Sequence, residues 1–410
     1  MNFLGIVVLL LSGIYFSIKL KFKHLNIIKA LKVINKKEIS GISSFQALCI
    51  SLASRIGVGS LSGVAISLHF GGVGSIFWMW LITIICSSNT MLESMLSIEY
   101  RKKDNKYYEG GPFYYIDRGL NNKKMAYLYA LIFIISYVIG FIPIQSNTIS
   151  KIVTEIIPID PIIIGIIIVI LTSLIIFKGI KEIANVVSKL IPFIAILYII
   201  TCLIILLKNI TIVDNIIVLI IKEAFNIKSF LTGFIVGSTK SIFSTEAGLG
   251  TSAIASAASF NNNPKEEGLV QVFGVFFDTF VVSSLTAFVI ILSPYLKLSI
   301  NNINGIEITR YAFIYHLGKF GGLVLILSII LFAFSTIIGG YYYLEVAVKY
   351  ITKNNNTILL KIITIILLLI STITSPTIIW NLIDKFIVIL AIINTISLIL
   401  LSKKDISDKL

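Results

Sequence analysis

Long apolar stretches, separated by short polar segments, run through almost the whole chain. A helix that spans the hydrocarbon core of a bilayer needs about 20 predominantly apolar residues. We predict transmembrane helices over residues 1–18, 41–68, 74–100, 125–150, 161–178, 187–207, 231–260, 268–294, 320–348, 357–375 and 378–401. The first of these lacks a basic start and a small-residue cleavage site, so we expect a retained helix rather than a signal peptide. The pattern predicts an all-α polytopic membrane protein with about 11 transmembrane helices.

Composition and charge support a membrane protein and predict its orientation. Of the 410 residues, 57% are hydrophobic and 13% charged, whereas soluble domains carry about 25% charged residues. When the predicted helices cross alternately, 24 of the 34 Lys and Arg residues fall on one side and 7 on the other. Basic loops are typical of the cytoplasmic side. We therefore expect a plasma (inner) membrane protein with its N-terminus outside and its C-terminus in the cytoplasm. The net charge of +14 then implies no nucleic-acid partner.

Several function classes lack the residues that they require. The sequence contains no ATP-binding loop of the G-x-x-x-x-G-K-[ST] type, so transport would draw on ion gradients or be passive. The three Cys and three His residues are scattered, and neither a zinc site nor a catalytic cluster is predicted. We expect neither an enzyme nor an organic cofactor. A polytopic membrane enzyme is the weakest of the alternatives.

Two stretches interrupt the apolar pattern inside predicted helices. Residues 51–60 read Ser-Leu-Ala-Ser-Arg-Ile-Gly-Val-Gly-Ser, and residues 244–252 read Ser-Thr-Glu-Ala-Gly-Leu-Gly-Thr-Ser. Each glycine destabilises a helix interior by about 1 kcal/mol relative to alanine. Unwound backbone at membrane depth persists only where it is buried in protein or lines a cavity, and it offers N–H groups to anions and C=O groups to cations. Helix packing is the competing interpretation, since Gly59 and Gly63 have G-x-x-x-G spacing.

The two stretches occupy corresponding positions if the first helix is an addition to the core. They then lie in core helices one and six, as in an inverted 5+5 repeat, and such paired interruptions point to a transporter site. We expect an extra N-terminal helix and basic loop over 1–40 and a transporter core over 41–401. The core divides into repeats at about 41–208 and about 229–401, and a cytoplasmic tail covers 402–410.

Polar groups inside the apolar helices add further candidates. Charges at membrane depth are costly and usually functional, and those at Arg55, Glu93 and Asp278 are possible coupling or structural charges. Arg55 lies in the first interrupted stretch and Glu246 in the second, so the two can pair across the site. Asp278 can be a cation ligand, a proton carrier or a structural partner. Adjacent hydroxyls at Ser335 and Thr336 are hard oxygen ligands of the kind that suit Na⁺.

Taken together in their order, these motifs resemble the alanine or glycine:cation symporter family, also called sodium:alanine symporters. The resemblance covers nearly the whole chain after residue 40. It rests on Gly71-Gly-Val-Gly-Ser-Ile-Phe-Trp-Met-Trp80, Glu109-Gly-Gly-Pro-Phe-Tyr-Tyr115, Gln145-Ser-Asn147, Gly179-Ile-Lys-Glu-Ile-Ala184, Phe243-Ser-Thr-Glu-Ala-Gly-Leu-Gly250, Asp278-Thr279, Phe332-Ala-Phe-Ser-Thr336 and Trp380-Asn-Leu382.

This resemblance implies the leucine-transporter fold, with helices one and six of the core unwound, and Na⁺-coupled or H⁺-coupled symport of small neutral amino acids such as alanine or glycine. It implies that the amides of Val58 and Gly59 hold the substrate carboxylate and that carbonyls of 244–248 receive the ammonium group. The substrate residues are then Gly57, Val58, Gly59, Ser60, Ser244, Thr245, Glu246 and Gly248. The implied Na⁺ ligands are Ala53, Ile56, Phe332, Ser335 and Thr336.

Four positions depart from the family pattern. The usual Gly-Thr-Gly-Asn has Val58 and Ser60 here, the usual Ser-Asn-Glu has Thr245, and Asn89 replaces an expected lysine. These departures bear on substrate preference and on any second cation site near Ser60. They also motivate an alternative function, an uncoupled amino-acid channel or a substrate-sensing membrane protein. The sequence predicts no oligomeric state.

Overall fold

The computed structural model describes residues 3–36, 41–104, 107–294, 305–374 and 376–404, and most of these residues are helical. The α-helices are α1 (Phe3–Lys19), α2 (Ile27–Ile34), α3 (Ser44–Arg55), α4 (Val64–Gly71), α5 (Ser75–Tyr100), α6 (Pro112–Gly119), α7 (Lys123–Ser136), α8 (Ile142–Thr154), α9 (Pro161–Ile176), α10 (Ile180–Lys208), α11 (Ile210–Ala224), α12 (Phe230–Thr245), α13 (Thr251–Ala258), α14 (Pro264–Phe276), α15 (Ser284–Ile291), α16 (Gly305–Thr352), α17 (Ile358–Ser371) and α18 (Pro376–Lys404). A short antiparallel hairpin pairs β1 (Lys102–Asp104) with β2 (Tyr107–Glu109).

Helix is present in each of the eleven predicted spans, as far as the chain is described. Within the described residues, six helices are long and apolar enough to cross a membrane without a break. The helices α3 and α4 together form one further, bent span. Three shorter apolar helices correspond to α1, α9 and α17. The predicted span 231–260 is divided between α12 and α13. The prediction of an all-α polytopic protein is therefore confirmed.

Some boundaries differ from those predicted, and each difference has a local cause. The span predicted at 320–348 lies within α16, which begins at Gly305 and bends sharply at Gly318 (φ 63°, ψ −152°). That conformation is accessible to glycine alone. The part of α16 before Gly318 is a separate arm, and Thr309 in it donates a hydrogen bond to the Leu61 carbonyl (3.1 Å). Helices α2, α6 and α11 were not predicted because each is too short or too amphipathic to read as a span.

Three π-helical segments widen the transmembrane helices at Gly59–Gly63, Tyr137–Phe141 and Phe277–Ser283. The second segment joins α7 to α8 as the continuous span Lys123–Thr154, and the third joins α14 to α15 as the span Pro264–Ile291. Such segments occur frequently at functional sites. They carry no signature that the hydrophobic pattern reveals.

The extra N-terminal helix is hydrogen-bonded to the core rather than merely adjacent to it. Ser12 donates to Asn89 Oδ1 (3.2 Å), and Asn89 Nδ2 donates to the Leu9 carbonyl (3.4 Å). Ser88 donates to the Gly13 carbonyl (2.8 Å). Asn89, where the family pattern has a lysine, is thus a partner of α1.

The start of α3 and the end of α13 are tied together at one end of the core. Ile42 forms a parallel bridge with Ser259, and the Phe260 amide donates to the Ile42 carbonyl (2.8 Å). Ser44 donates to Glu267 of α14 (2.8 Å). These contacts fix the ends of the two interrupted spans and so bring their breaks to the same region.

Candidate transport site

The first interrupted stretch breaks its helix over residues 56–58. The helix α3 ends at Arg55, Ile56 turns to ψ 82°, and the span continues at an angle of 52°. A β-carbon on Gly57 would lie 2.6 Å from Thr336 Oγ1 and 3.2 Å from Gln145 Oε1. Only glycine allows side chains of α16 and α8 to approach the broken backbone so closely.

The second interrupted stretch is unwound over residues 246–250. Glu246, Gly248 and Gly250 have φ values of 52°, 81° and 83°. This left-handed region costs a residue with a side chain roughly 1–2 kcal/mol, so Glu246 is held there by its surroundings. A β-carbon on Gly250 would lie 2.1 Å from Pro112 Cγ. Both predicted breaks are therefore present, and the packing interpretation alone does not account for them.

A trio of buried polar side chains connects the two breaks. Ser60 Oγ lies 3.0 Å from Ser244 Oγ. The two hydroxyls donate to different oxygens of Asp278, each at 2.5 Å. Asp278 belongs to the π-helical segment Phe277–Ser283 and is fully buried. Two hydroxyls and one carboxylate, all hard oxygen ligands, thus meet where the segment Gly59–Gly63, the end of α12 and the segment Phe277–Ser283 converge.

Four of the five residues expected to bind Na⁺ converge beside the first break. Thr336 donates to the Ala53 carbonyl (2.7 Å) and to the Phe332 carbonyl (3.0 Å). Ser335 also donates to the Phe332 carbonyl (2.7 Å). The fifth residue, Ile56, directly follows the end of α3 and lies three positions after Ala53. Hydroxyl and carbonyl oxygens in this arrangement are suited to a hard cation such as Na⁺.

The backbone at the first break has one amide side chain and two aromatic rings close to it. The Val58 amide is 3.5 Å from Gln145 Oε1. A β-carbon on Gly59 would lie 2.9 Å from a ring carbon of Phe243. Phe243 stacks on Phe141, with ring centroids 5.9 Å apart and planes at 7°. The backbone of Val58 and Gly59 is therefore flanked closely by Gln145 and Phe243.

Arg55 and Glu246 have separate partners. Glu246 accepts hydrogen bonds from Ser54 (3.1 and 3.2 Å) and Tyr137 (3.5 Å). Arg55 is buried and donates to Ser252 Oγ and to the Gln271 carbonyl. The residue that joins the breaks near Glu246 is thus Ser54 rather than Arg55, because helix geometry turns successive side chains about 100° apart. The pairing of Arg55 with Glu246, which the sequence allowed without deciding it, is not among these hydrogen bonds.

Glu93 supports the second break from core helix two. Its Oε2 accepts hydrogen bonds from the Gly250 amide (2.9 Å) and from Asn394 Nδ2 (3.0 Å). Asn394 also donates to the Gly248 carbonyl (2.9 Å). The Gly248 carbonyl thus accepts a hydrogen bond from α18, and its expected role toward a substrate ammonium group stays a prediction. Glu93 is a positioning residue for the unwound segment.

Thr245 also has a local role. Its hydroxyl donates to the Ser241 carbonyl (2.8 Å) and accepts from the Ala247 amide (3.4 Å). A threonine at this position hydrogen-bonds within its own helix end. The neighbouring Ser244, and not Thr245, belongs to the polar trio with Ser60 and Asp278.

Several residues of this region were missed as site residues. They are Ser54, Tyr137, Gln145, Ser252 and Asn394. Gln145 begins a polar Gln-Ser-Asn run inside an apolar helix, and Asn394 is an isolated amide in another. Their polarity in an apolar environment was the available signal. It did not reveal which of the two breaks each side chain approaches.

The chain is similar to known transporters over nearly its whole length. The family model described as "Sodium:alanine symporter family" matches residues 1–408. The "Probable sodium/glutamine symporter GlnT" of Bacillus subtilis is 35% identical over 410 residues, with 97% of this chain and 85% of that protein covered. The "Sodium/alanine symporter AgcS" of Methanococcus maripaludis is 32% identical, with 98% and 92% covered.

The fold has a counterpart among solved structures. The crystal structure of MhsT in complex with L-phenylalanine superposes with a TM-score of 0.66 over 89% of this chain and 90% of that one. The sequences are 13% identical, so this likeness concerns the fold alone. It confirms the expected leucine-transporter fold.

Proposed function

Because the chain belongs to the sodium:alanine symporter family, we propose that it carries out Na⁺-coupled symport of small neutral amino acids such as alanine or glycine. The family consists of membrane transporters rather than enzymes. Relatives of the chain are named as sodium-coupled amino-acid symporters, which supports Na⁺ as the coupling ion and an amino acid as the substrate.

The observation that carries the proposal is the convergence of two broken helices. Ser60 from the first and Ser244 from the second lie 3.0 Å apart at the buried carboxylate of Asp278. Interrupted helices that meet within the membrane supply free backbone groups for a zwitterion and its coupling ion. Buried polar groups of this density are costly in a purely structural core.

In the proposed mechanism, Na⁺ binds first to oxygens of Ala53, Ile56, Phe332, Ser335 and Thr336. These residues join α3 to α16, so the ion stabilises the first break in the conformation that exposes the Val58 and Gly59 amides. The substrate carboxylate binds those amides, and its ammonium group faces the Ser244 end of α12. Because each ligand favours the conformation that the other requires, Na⁺ raises the substrate affinity and the substrate raises the Na⁺ affinity.

Asp278 is a second candidate for coupling. It is the only carboxylate of the polar trio, and we propose that it balances a cation at that trio, either Na⁺ or H⁺. We propose that Phe243 limits the size of the substrate side chain, because its ring lies against Gly59. Glutamine, which the name of one relative mentions, requires more room there than alanine or glycine.

The basic loops support the proposed orientation in the plasma membrane, with the N-terminus outside and the C-terminus in the cytoplasm. The two loops with the most basic residues, 19–40 and 101–124, then both lie in the cytoplasm. Alternating access would proceed by movement of the helices that contain the breaks against the remaining core.

The test is uptake of radiolabelled alanine, glycine and glutamine into proteoliposomes that contain the purified protein. An inward Na⁺ gradient should drive accumulation of alanine or glycine, and replacing Na⁺ by K⁺ should abolish it. A pH gradient imposed without Na⁺ separates proton coupling from sodium coupling. Equilibration without accumulation under every gradient would contradict coupled transport, and uptake of glutamine alone would contradict the substrate class.

A further inference from the structure

A recess with apolar walls opens on the side of the molecule between α2, α3, α10 and the end of α14. It has a volume of about 290 Å³. Leu31 of α2, Leu48 and Cys49 of α3, and Ile196 of α10 line it. Pro192 also borders the recess from within α10. Two of its walls, α3 and α10, belong to helices long and apolar enough to span a membrane.

The recess continues into a polar cavity at one end. Ile34, Asn35 and Phe45 line both spaces. The polar cavity is further bordered by Lys36 and Gln46. Lys36 is paired with Glu266 (2.7 Å), so it marks the polar end without being available as an unpaired cation. A molecule that fills both spaces must be apolar over most of its length and polar at one end.

The helix α2 beside this opening has the pattern of an interfacial helix. Ala30 and Val33 are buried against the core, while Ile28 and Leu31 remain 71% and 44% exposed. Two exposed lysines, Lys29 and Lys32, lie on the same short helix. Apolar exposure next to basic residues is typical of helices that lie in the headgroup region of an anionic bilayer.

We propose that this opening binds one anionic phospholipid from the surrounding bilayer. Its acyl chain lies in the recess between α3 and α10, and its phosphate lies at the polar cavity, where the exposed Lys29 and Lys32 of the adjoining α2 attract it electrostatically. The segment 19–40 contains seven lysines and no arginine or acidic residue other than Glu38. Such a segment next to a membrane helix attracts anionic headgroups, whereas a zwitterionic lipid offers it no net charge.

The lipid has a consequence for transport, which rests on the proposed function. One wall of the recess is α3, the helix that ends at the first break. A bound chain packs against Leu48 and Leu52 and supports α3 in the position seen here. The lipid therefore stabilises the folded protein and changes the rate at which α3 moves.

Lipid binding is tested without any transport assay, by thermal unfolding of the purified full chain in detergent with added lipid. We compare phosphatidylglycerol with phosphatidylcholine of the same acyl chains. Phosphatidylglycerol should raise the unfolding midpoint by about 5 °C more than phosphatidylcholine, because a ligand of the native state stabilises it. The double variant Lys29→Glu/Lys32→Glu should lose most of this difference. The matched control, Lys102→Glu/Lys103→Glu, changes two exposed lysines of β1 and should retain it.

The apolar part of the site has its own pair of variants. Ile196→Trp places a ring in the recess and should remove the effect of phosphatidylglycerol, whereas Ile200→Trp, one turn later and similarly exposed (51% against 58%), should not. Equal effects of the two lipids on the native protein would overturn the proposal. So would an equal loss in both double-charge variants. A normal lipid effect with absent uptake would contradict the proposed function and leave the lipid site supported.

Discussion

The two helix breaks that meet at the site differ in how they are held. The first, at 56–58, is short, and its Val58 amide has only a 3.5 Å contact with Gln145. The second, at 246–250, contains three residues with positive φ. Its backbone is bonded to Glu93 and Asn394, and its Leu249 carbonyl accepts a hydrogen bond from Tyr129 (2.5 Å).

This difference indicates a division of labour between the breaks. Hydrogen bonds from α5, α7 and α18 satisfy the backbone of the second break, so it serves as a fixed platform. The first break retains one weakly bonded amide, that of Val58, near the oxygens of Thr336 and Ser335, and we propose that this is the side on which ligands replace internal contacts. Rigid support next to an adjustable segment suits a site that must close around a substrate and later release it.

The largest expected effect on transport comes from Gly57→Leu. A β-carbon there would meet Thr336 Oγ1 at 2.6 Å, so the larger side chain blocks the first break. Uptake should fall by about 100-fold or more, since small displacements at a binding site cost that much. Gly63→Ala is the control, because its β-carbon meets nothing closer than Lys240 at 3.8 Å. Membrane yield should be nearly unchanged in both, and the unfolding midpoint should fall in Gly57→Leu but not in Gly63→Ala, since overpacking costs about 1–3 kcal/mol. Normal uptake by Gly57→Leu would contradict the role of this break.

Glu93→Leu should affect the second break through folding rather than through binding alone. It leaves the Gly250 amide without its acceptor and removes one of the two acceptors of Asn394 Nδ2, at a cost of about 1–3 kcal/mol for a buried group left unsatisfied. The unfolding midpoint should fall, and substrate binding should weaken with it. Glu93→Gln retains a carbonyl oxygen and should keep most of the stability. An unaltered midpoint for Glu93→Leu would show that the platform does not depend on this residue.

Ser335→Ala distinguishes the ion from the substrate at the first break. Loss of one hydroxyl ligand should weaken the apparent Na⁺ affinity by about tenfold, as expected for a hydrogen-bonding group that contacts a charge. The substrate affinity at saturating Na⁺ should change little. The measurement is uptake as a function of Na⁺ concentration at fixed alanine. Unchanged Na⁺ dependence would exclude Ser335 from the cation site.

Tyr137→Phe should have the smallest effect. The Tyr137 hydroxyl contacts Glu246 at only 3.5 Å, while Ser54 contacts the same carboxylate at 3.1 and 3.2 Å. We expect less than about a twofold change in substrate affinity, because long hydrogen bonds contribute little. Ser54→Ala, measured in the same uptake assay, should have the larger effect. The reverse order would mean that the π-helical segment after α7, rather than α3, holds Glu246.

The sequence predicted the helices and both breaks, because hydrophobic length and clustered glycines are local signals. It also predicted the Ser335–Thr336 hydroxyls beside the first break. It did not reveal the partners of Arg55 and Gly248, since the partner of a buried polar group depends on how helices rotate against each other. Ser54 and Arg55 are neighbours in sequence, yet one contacts Glu246 and the other Ser252. The π-helical segments that carry Ser60 and Asp278 likewise depend on tertiary packing.

The account depends most on the meeting of the two breaks at Ser60 and Ser244. We would replace both by cysteine, with the native Cys49, Cys86 and Cys202 changed to serine or alanine, and oxidise the protein in membranes. Because the two hydroxyl oxygens are 3.0 Å apart, the introduced thiols should form a disulfide that blocks uptake until it is reduced. Na⁺ with alanine should slow its formation. Two thiols that react with a small alkylating reagent but never form a disulfide would contradict the account.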